Sequence, residues 1–201
     1  MLRPSKIVCV GRNYREHAKE LGNEVPKEPL LFLKPPSSLL ANGSAIVLPT
    51  VSTRVEFEGE IGVMIGSLLR HANEDEARNA VGAILALNDV TARDLQKTDG
   101  QWTRAKGFDT FCPIGAPSTS VPDLGSLTVV TRVNGEERQR GSSADMVFAI
   151  PTLLAYISRI MTLEPGDIVA TGTPAGVGPL ESGDIVDVEV EGLSRVSNPV
   201  A

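Results

Sequence analysis

Aromatic residues are scarce in this chain, at 4%, and histidine and cysteine occur only twice each. Cys9 and Cys112 make no CxxC pair and no disulfide framework; both lie in apolar surroundings and read as buried thiols in a reducing cytoplasm. No apolar run reaches the roughly 18–20 residues that a bilayer span needs. The run Ile7–Val10 behind Met1-Leu2-Arg3-Pro4-Ser5-Lys6 is too short for a secretory leader and is predicted to be a strand. Basic residues are outnumbered, with 19 Lys and Arg against 25 Asp and Glu and a net charge of −6, which argues against a generally basic, nucleic-acid-binding surface.

What is present is an ordinary globular composition, 41% hydrophobic and 22% charged over 201 residues, enough to bury a real core. No linker or composition shift divides residues 1–201, so one domain is expected. Nineteen glycines and 14 prolines spread along the chain, with so few aromatics, predict many turns and a β-rich fold rather than a helical bundle. Asn134-Gly135 between two alternating segments is a strong hairpin signal. Asn73 caps a predicted helix to Val81, with Glu74, Asp75 and Glu76 in its first turn. Pro151–Met161 reads as an amphipathic helix burying Leu153, Leu154, Ile157, Ile160 and Met161. Near the N-terminus Asn13, as cap, precedes a short helix with Tyr14, His17, Ala18 and Leu21 at helical spacing.

The segment Val55–Ile65 alternates apolar residues with Glu56, Glu58 and Glu60, the period of a strand with three carboxylates on one face. Two glutamates two apart can converge on one ion, and Asp89 at the end of the predicted strand Ala83–Leu87 could complete an all-oxygen site suited to Mg²⁺, Mn²⁺ or Ca²⁺. The same period also describes a solvated acidic face, although three like charges side by side repel unless a cation compensates them. His17 and Glu20, three apart on one helix face, could form a carboxylate-oriented base or an ordinary surface pair. Lys106 by itself reads as a solvated lysine, and His71 as an exposed histidine. The stretch Thr171–Gly178 is a tight turn or an anion-presenting loop; it lacks the ending of a P-loop.

Taken in order, Gly11-Arg12-Asn13-Tyr14 with His17 and Glu20, Phe32-Leu33-Lys34-Pro35, Glu58-Gly59-Glu60-Ile61-Gly62-Val63, Asn88–Asp94, Lys106–Asp109 and Gly172–Gly178 resemble the fumarylacetoacetate hydrolase family over nearly the whole chain. The likeness is to its short members, acylpyruvate hydrolases and oxaloacetate decarboxylases, without the N-terminal domain of the larger ones. It implies an α+β, predominantly β fold, a mixed β-sandwich or β-roll with a few short helices, working as a homodimer on a small 2-oxo dicarbonyl or dicarboxylate substrate. It further implies one divalent cation, Mg²⁺ foremost, with Mn²⁺ or Ca²⁺ as alternatives, held by Glu58, Glu60 and Asp89, with Glu56 outside the ligand set. It places His17 and Glu20 on a closing helix as the water-activating pair, and Lys106 as a cation beside developing enolate charge. Arg93, Gln96 and Thr173 match substrate-binding positions. The implied reaction is hydrolysis of the C–C bond of 2,4-dioxo acids to pyruvate and a carboxylic acid, with oxaloacetate decarboxylation at the same site. Isomerisation of hydroxymuconate-type dienols is the alternative within the family, and a non-catalytic, metal-dependent binding module the alternative outside it.

Overall fold

The computed structural model describes residues 4–20, 22 and 24–201. Its first half runs β1 (Ile7–Gly11), α1 (Arg15–Glu20), β2 (Leu30–Lys34), β3 (Leu39–Leu40), β4 (Val55–Phe57), β5 (Gly59–Ile65), α2 (Glu74–Asn79) and β6 (Val81–Asn88). Then come β7 (Thr91–Ala92), α3 (Arg93–Asp99), α4 (Thr103–Lys106) and β8 (Cys112–Pro113). The remainder is β9 (Thr128–Val133), β10 (Glu136–Ser142), α5 (Ile150–Ile160), β11 (Ile168–Ala170), β12 (Gly178–Pro179), β13 (Ile185–Val190) and β14 (Ser194–Pro199). The fold is α+β and mostly strand, as expected.

One sheet has the order β2-β1-β11-β5-β6 and a second the order β10-β9-β13-β14. In the first, β11 lies between β1, to which it is parallel, and β5, to which it is antiparallel; Val169 pairs with Val8 on one side and Val63 on the other. The two sheets share a core of Val8, Ile61 and Val63 against Val129, Val188 and Val196, every one of them buried. Burying each such side chain contributes about 1.5–3 kcal/mol. Small sheets β12-β4-β7 and β3-β8 flank this pair over a second apolar cluster that includes Phe57, Ala105 and Phe111. Among the described residues no helix is long and apolar enough to cross a membrane.

The hairpin forms at Asn134-Gly135, whose φ angles of 53° and 81° are those of a tight two-residue reversal. Asn73 caps α2 with a full capping box through Glu76, but Val81 has already entered β6. Helix α5 buries Leu153, Leu154 and Ile157, whereas Ile160 turns outward at 56% exposure. Asn13 caps nothing: its amide donates to the carbonyls of Phe148 (3.1 Å) and Thr171 (2.8 Å) and accepts from Phe148 N–H (2.9 Å). It cross-links three distant segments, so α1 begins two residues later, at Arg15. Leu21 and the first three residues lie outside the described residues.

Candidate active site

The alternating segment 55–65 is two strands, not one, because Glu58 breaks it and sends β4 and β5 to different sheets. The break is held from both sides. Glu58 N–H donates to Asn88 Oδ1 (2.9 Å), and Asp89 N–H donates to the Glu58 carbonyl (2.8 Å). Gly59 N–H donates to Gln139 Oε1 (3.0 Å), and the Gly59 carbonyl accepts from Thr173 Oγ1 (2.9 Å). A β-carbon at residue 59 would sit 1.9 Å from Thr131 Oγ1, so only glycine lets β5 approach β9 here.

This bend sets Glu58 and Glu60 beside Asp89, one carboxylate oxygen from each lying within 4.8 Å of the others. The acidic face is therefore buried, with exposures of 5%, 2% and 1%. Glu58 receives Arg93 Nη2 (2.5 Å) and Lys106 Nζ (2.7 Å); Asp89 receives Lys106 Nζ (2.6 Å) and Lys34 Nζ (2.7 Å). Burial raises the pKa of Glu58, but Lys106 and Arg93 outweigh it and hold the carboxyl far below the usual range. Among the described residues no basic side chain hydrogen-bonds or ion-pairs with Glu60, which accepts the Gly172 N–H (2.8 Å). Burial, then the charges of Asp89 and Glu58, push its carboxyl well above the usual range. A divalent cation fits here: the donors are hard oxygens, close together, and one of them lacks a counter-charge.

Burial lowers the pKa of Lys106, yet Asp89 and Glu58 raise it by more, so the side chain is an ammonium. Each nitrogen of the Arg93 guanidinium donates once, to Glu56 (2.6 Å), Glu58 (2.5 Å) and Gln96 Oε1 (2.5 Å). It thus braces the acidic strand through three of its five N–H groups. Glu56 is also reached by Arg54 (2.5 Å), which accounts for its burial outside the group of three. Thr173 Oγ1 accepts from Gln139 Nε2 (2.8 Å). His17 Nδ1 lies 3.2 Å from Glu20 Oε2, with the imidazole buried. Glu20 accepts in turn the Gly176 N–H (3.0 Å), which fastens α1 to the glycine-rich loop. That loop does present N–H groups to anions, but they are the carboxylates of Glu60 and Glu20.

All nine candidate residues line one cavity of about 480 Å³. His71 is exposed and lines no part of it. Lys34 and Gln139, which sequence reasoning left without a role, both brace the site, and Arg12, Lys97 and Trp102 complete its wall. The sequence signals for Lys34 are its place in the family motif Phe32-Leu33-Lys34-Pro35 and its position at the end of the apolar run Leu30–Leu33.

The cavity sets a buried carboxylate trio that could hold a divalent ion beside a histidine–glutamate pair, in a fold of facing mixed sheets, which is the form of an enzyme's active site. The chain belongs to the fumarylacetoacetate hydrolase family: the model of its C-terminal domain, fumarylacetoacetate (FAA) hydrolase C-terminal, matches residues 6–201. The chain is 48% identical over 198 residues to the mitochondrial oxaloacetate tautomerase of Arabidopsis thaliana, covering 96% of this chain and 89% of that protein. Among solved structures it resembles a 5-carboxymethyl-2-hydroxymuconate delta-isomerase from Mycobacterium smegmatis, at 41% identity and TM-score 0.92 over 100% of this chain and 80% of that one. It also resembles fumarylpyruvate hydrolase from Pseudomonas aeruginosa in complex with Mn²⁺ and pyruvate, at 31% identity and TM-score 0.92 over 98% of this chain and 90% of that one.

Proposed function

We propose that this protein is a divalent-cation-dependent hydrolase of acylpyruvate-type 2,4-dioxo acids that also decarboxylates oxaloacetate. The observation that carries the reading is the meeting of the Glu58, Glu60 and Asp89 carboxylates with the His17–Glu20 pair in one cavity. Glu58, Glu60 and Asp89 would hold the ion, Mg²⁺ first and Mn²⁺ or Ca²⁺ as alternatives; when bound it supplies Lewis-acid polarisation of the 2-oxo acid. Lys106 presents a fixed positive charge where enolate charge develops. Gln96 and Thr173 offer polar groups to the substrate's oxygens, with Arg93 behind them. His17, oriented by Glu20, takes a proton from water, whose oxygen adds to the distal carbonyl carbon. The C–C bond breaks, its electron pair stays with the pyruvate fragment as an enolate, and a proton returns to that carbon. Oxaloacetate loses carbon dioxide to leave the same enolate without any attacking water, so His17 is dispensable for that step. The chain acts as one domain over residues 1–201 and as a homodimer; its two buried, unpaired cysteines suit the cytoplasm.

The test is a product assay with acetylpyruvate, oxaloacetate and a hydroxymuconate, each with Mg²⁺ or Mn²⁺ and again with chelator. Pyruvate and acetate from the first, lost with chelator, are expected. Replacing His17 by Gln should suppress hydrolysis far more than decarboxylation, and equal losses would reject that division of labour. A second reading, keto–enol or double-bond isomerisation, is favoured by the tautomerase and isomerase relatives, and accumulation of an isomer without pyruvate would establish it. Absence of turnover with any of the three would return the protein to the class of binding modules.

A further inference from the structure

Gln139 is not part of the cavity wall, yet its amide decides what one wall residue can offer a ligand. It lies on β10, whose register against β9 shifts between Glu137 and Gln139. Along this irregular stretch Arg138 and Arg140 stay exposed, while Gln139 turns inward opposite Thr131. Two residues on, Gly141 has no β-carbon to hold off Pro174, whose ring would lie 2.6 Å from one. The glycine-rich loop therefore seats directly on β10, where Gln139 bonds to both Thr173 and Pro174.

The amide makes three hydrogen bonds. Its Oε1 accepts the Gly59 N–H (3.0 Å), and its Nε2 donates to the Pro174 carbonyl and to Thr173 Oγ1, each at 2.8 Å. Exchanging oxygen and nitrogen would set two donors face to face at Gly59 and two acceptors at Pro174. The orientation is thus fixed by two backbone partners that have no choice of role. Thr173 does have a choice, and Gln139 removes it. Its hydroxyl accepts from Nε2, and its one proton goes to the Gly59 carbonyl (2.9 Å), which can only accept. One lone pair is what the hydroxyl has left.

Thr173 lines the cavity together with Glu58, Glu60 and Asp89. A keto or carboxylate oxygen set against its hydroxyl would meet a lone pair, whereas an O–H group would find an acceptor. Turning the hydroxyl proton toward the cavity would take that donor from the carbonyl of buried Gly59, which opposes the switch.

We infer that Gln139 is a positioning residue which, through Thr173, sets the hydrogen-bond polarity of this part of the cavity. Thr173 accepts an O–H of the ligand, an enol or alcohol hydroxyl, and disfavours a keto or carboxylate oxygen. The ligand class rests on the proposed 2-oxo acid reading, and the inference selects the enol among the forms of such an acid.

Lactate and pyruvate share a carboxylate and a carbon skeleton and differ at C2, where one carries O–H and the other C=O. Titration calorimetry in Mg²⁺ or Mn²⁺ gives the affinity of pyruvate and of the tighter-binding lactate enantiomer. Thr173→Val, which keeps the shape and removes the hydroxyl, should weaken lactate about fivefold, the worth of one hydrogen bond, and leave pyruvate within about twofold. Thr173→Ser should restore the wild-type ratio. Gln139→Met releases the Thr173 hydroxyl from its fixed role, so pyruvate should gain on lactate about threefold, a ratio that overall destabilisation does not move. Equal losses in Thr173→Val, a loss confined to pyruvate, or no change in either would overturn the inference, as would an unchanged ratio in Gln139→Met. Should that last variant not fold, neutron diffraction from deuterated wild-type crystals decides. A Thr173 deuteron on the line to the Gly59 carbonyl supports the assignment, and one pointing into the cavity overturns it. The expected lactate loss without turnover of any 2-oxo acid would reject the proposed reaction while upholding the role of Gln139. Turnover with equal losses would do the reverse, and failure of both ligands to bind would reject both.

Discussion

Lys34 Nζ donates to Asp89 Oδ1 at 2.7 Å, while Lys106 Nζ takes the other oxygen of the same carboxylate at 2.6 Å. One anion is thus shared by two fully buried ammonium groups arriving from β2 and α4. Lys34 also donates to the carbonyls of Val90 (3.2 Å) and Lys106, so a single side chain ties β2, the end of β6 and α4 together.

Replacing Lys34 by Met should therefore destabilise the protein strongly. It strands a buried carboxylate oxygen and two carbonyls, and removing one partner of a buried pair costs about 3–5 kcal/mol. For a chain of this size that is a fall in melting temperature of roughly 10 °C. Thermal unfolding in chelator, followed by circular dichroism, measures it; a change under 2 °C would mean that the lysine is not load-sharing in solution.

Glu60 stands apart from its neighbours because, among the described residues, no basic side chain pairs with it. Glu60→Gln should raise the melting temperature in chelator by a few degrees at neutral pH, since it removes a carboxyl whose ionised form burial and the charges of Asp89 and Glu58 disfavour on folding. With Mg²⁺ or Mn²⁺ at a hundred times its Kd, the wild type should gain about 2.7 kcal/mol of stability and the variant nearly none. Identical cation-induced shifts in both proteins would rule out a ligand role for Glu60.

Burial pushes both thiols up, Cys112 to about 12 and Cys9 also well above its ordinary value. Neither should react with an aromatic disulfide reagent at pH 8 in the native protein, and both should react in guanidinium chloride. Prompt native reactivity of either would show that β1 or β8 opens locally.

Asp94 accepts from Ser52 Oγ (2.6 Å) and from the Thr53 N–H (2.8 Å), and, although slight burial opposes it, these bonds bring its pKa down to about 2. A carboxyl depressed on folding contributes stability above its unfolded value of about 3.9 and loses it as pH falls through the folded one. The stability gap between the wild type and Asp94→Asn should then be full at pH 6 and shrink between about pH 4 and 2. Urea unfolding at pH 6, 4 and 3 gives the comparison, and a gap that widens with acid would contradict the assignment.

Legibility in the sequence followed the range of the interactions. The Asn134-Gly135 reversal and the Asn73 cap depend on neighbours in the chain, and both form as read. The alternation of residues 55–65 shows period two but hides the break at Glu58, which depends on Asn88, Gln139 and Thr131, all distant in sequence. Asn13 followed the pattern of a cap, yet its side chain answers to residues 148 and 171. Whether the glutamate face was wet or buried turned on Lys34, Arg93 and Lys106, whose approach no local pattern records. The site itself was readable as a set of motifs in family order. The residues alone left each pair of alternatives standing.

Strand β11 fills a slot between β1 and β5, although some 100 residues of chain separate it from the nearer of them. Until residues 168–170 have been made, Val8 and Val63 lack the neighbour that joins their strands. The first sheet can close only once residues 168–170 have been made, and a truncation that removes β11 should leave the facing edges of β1 and β5 unpaired and prone to aggregate.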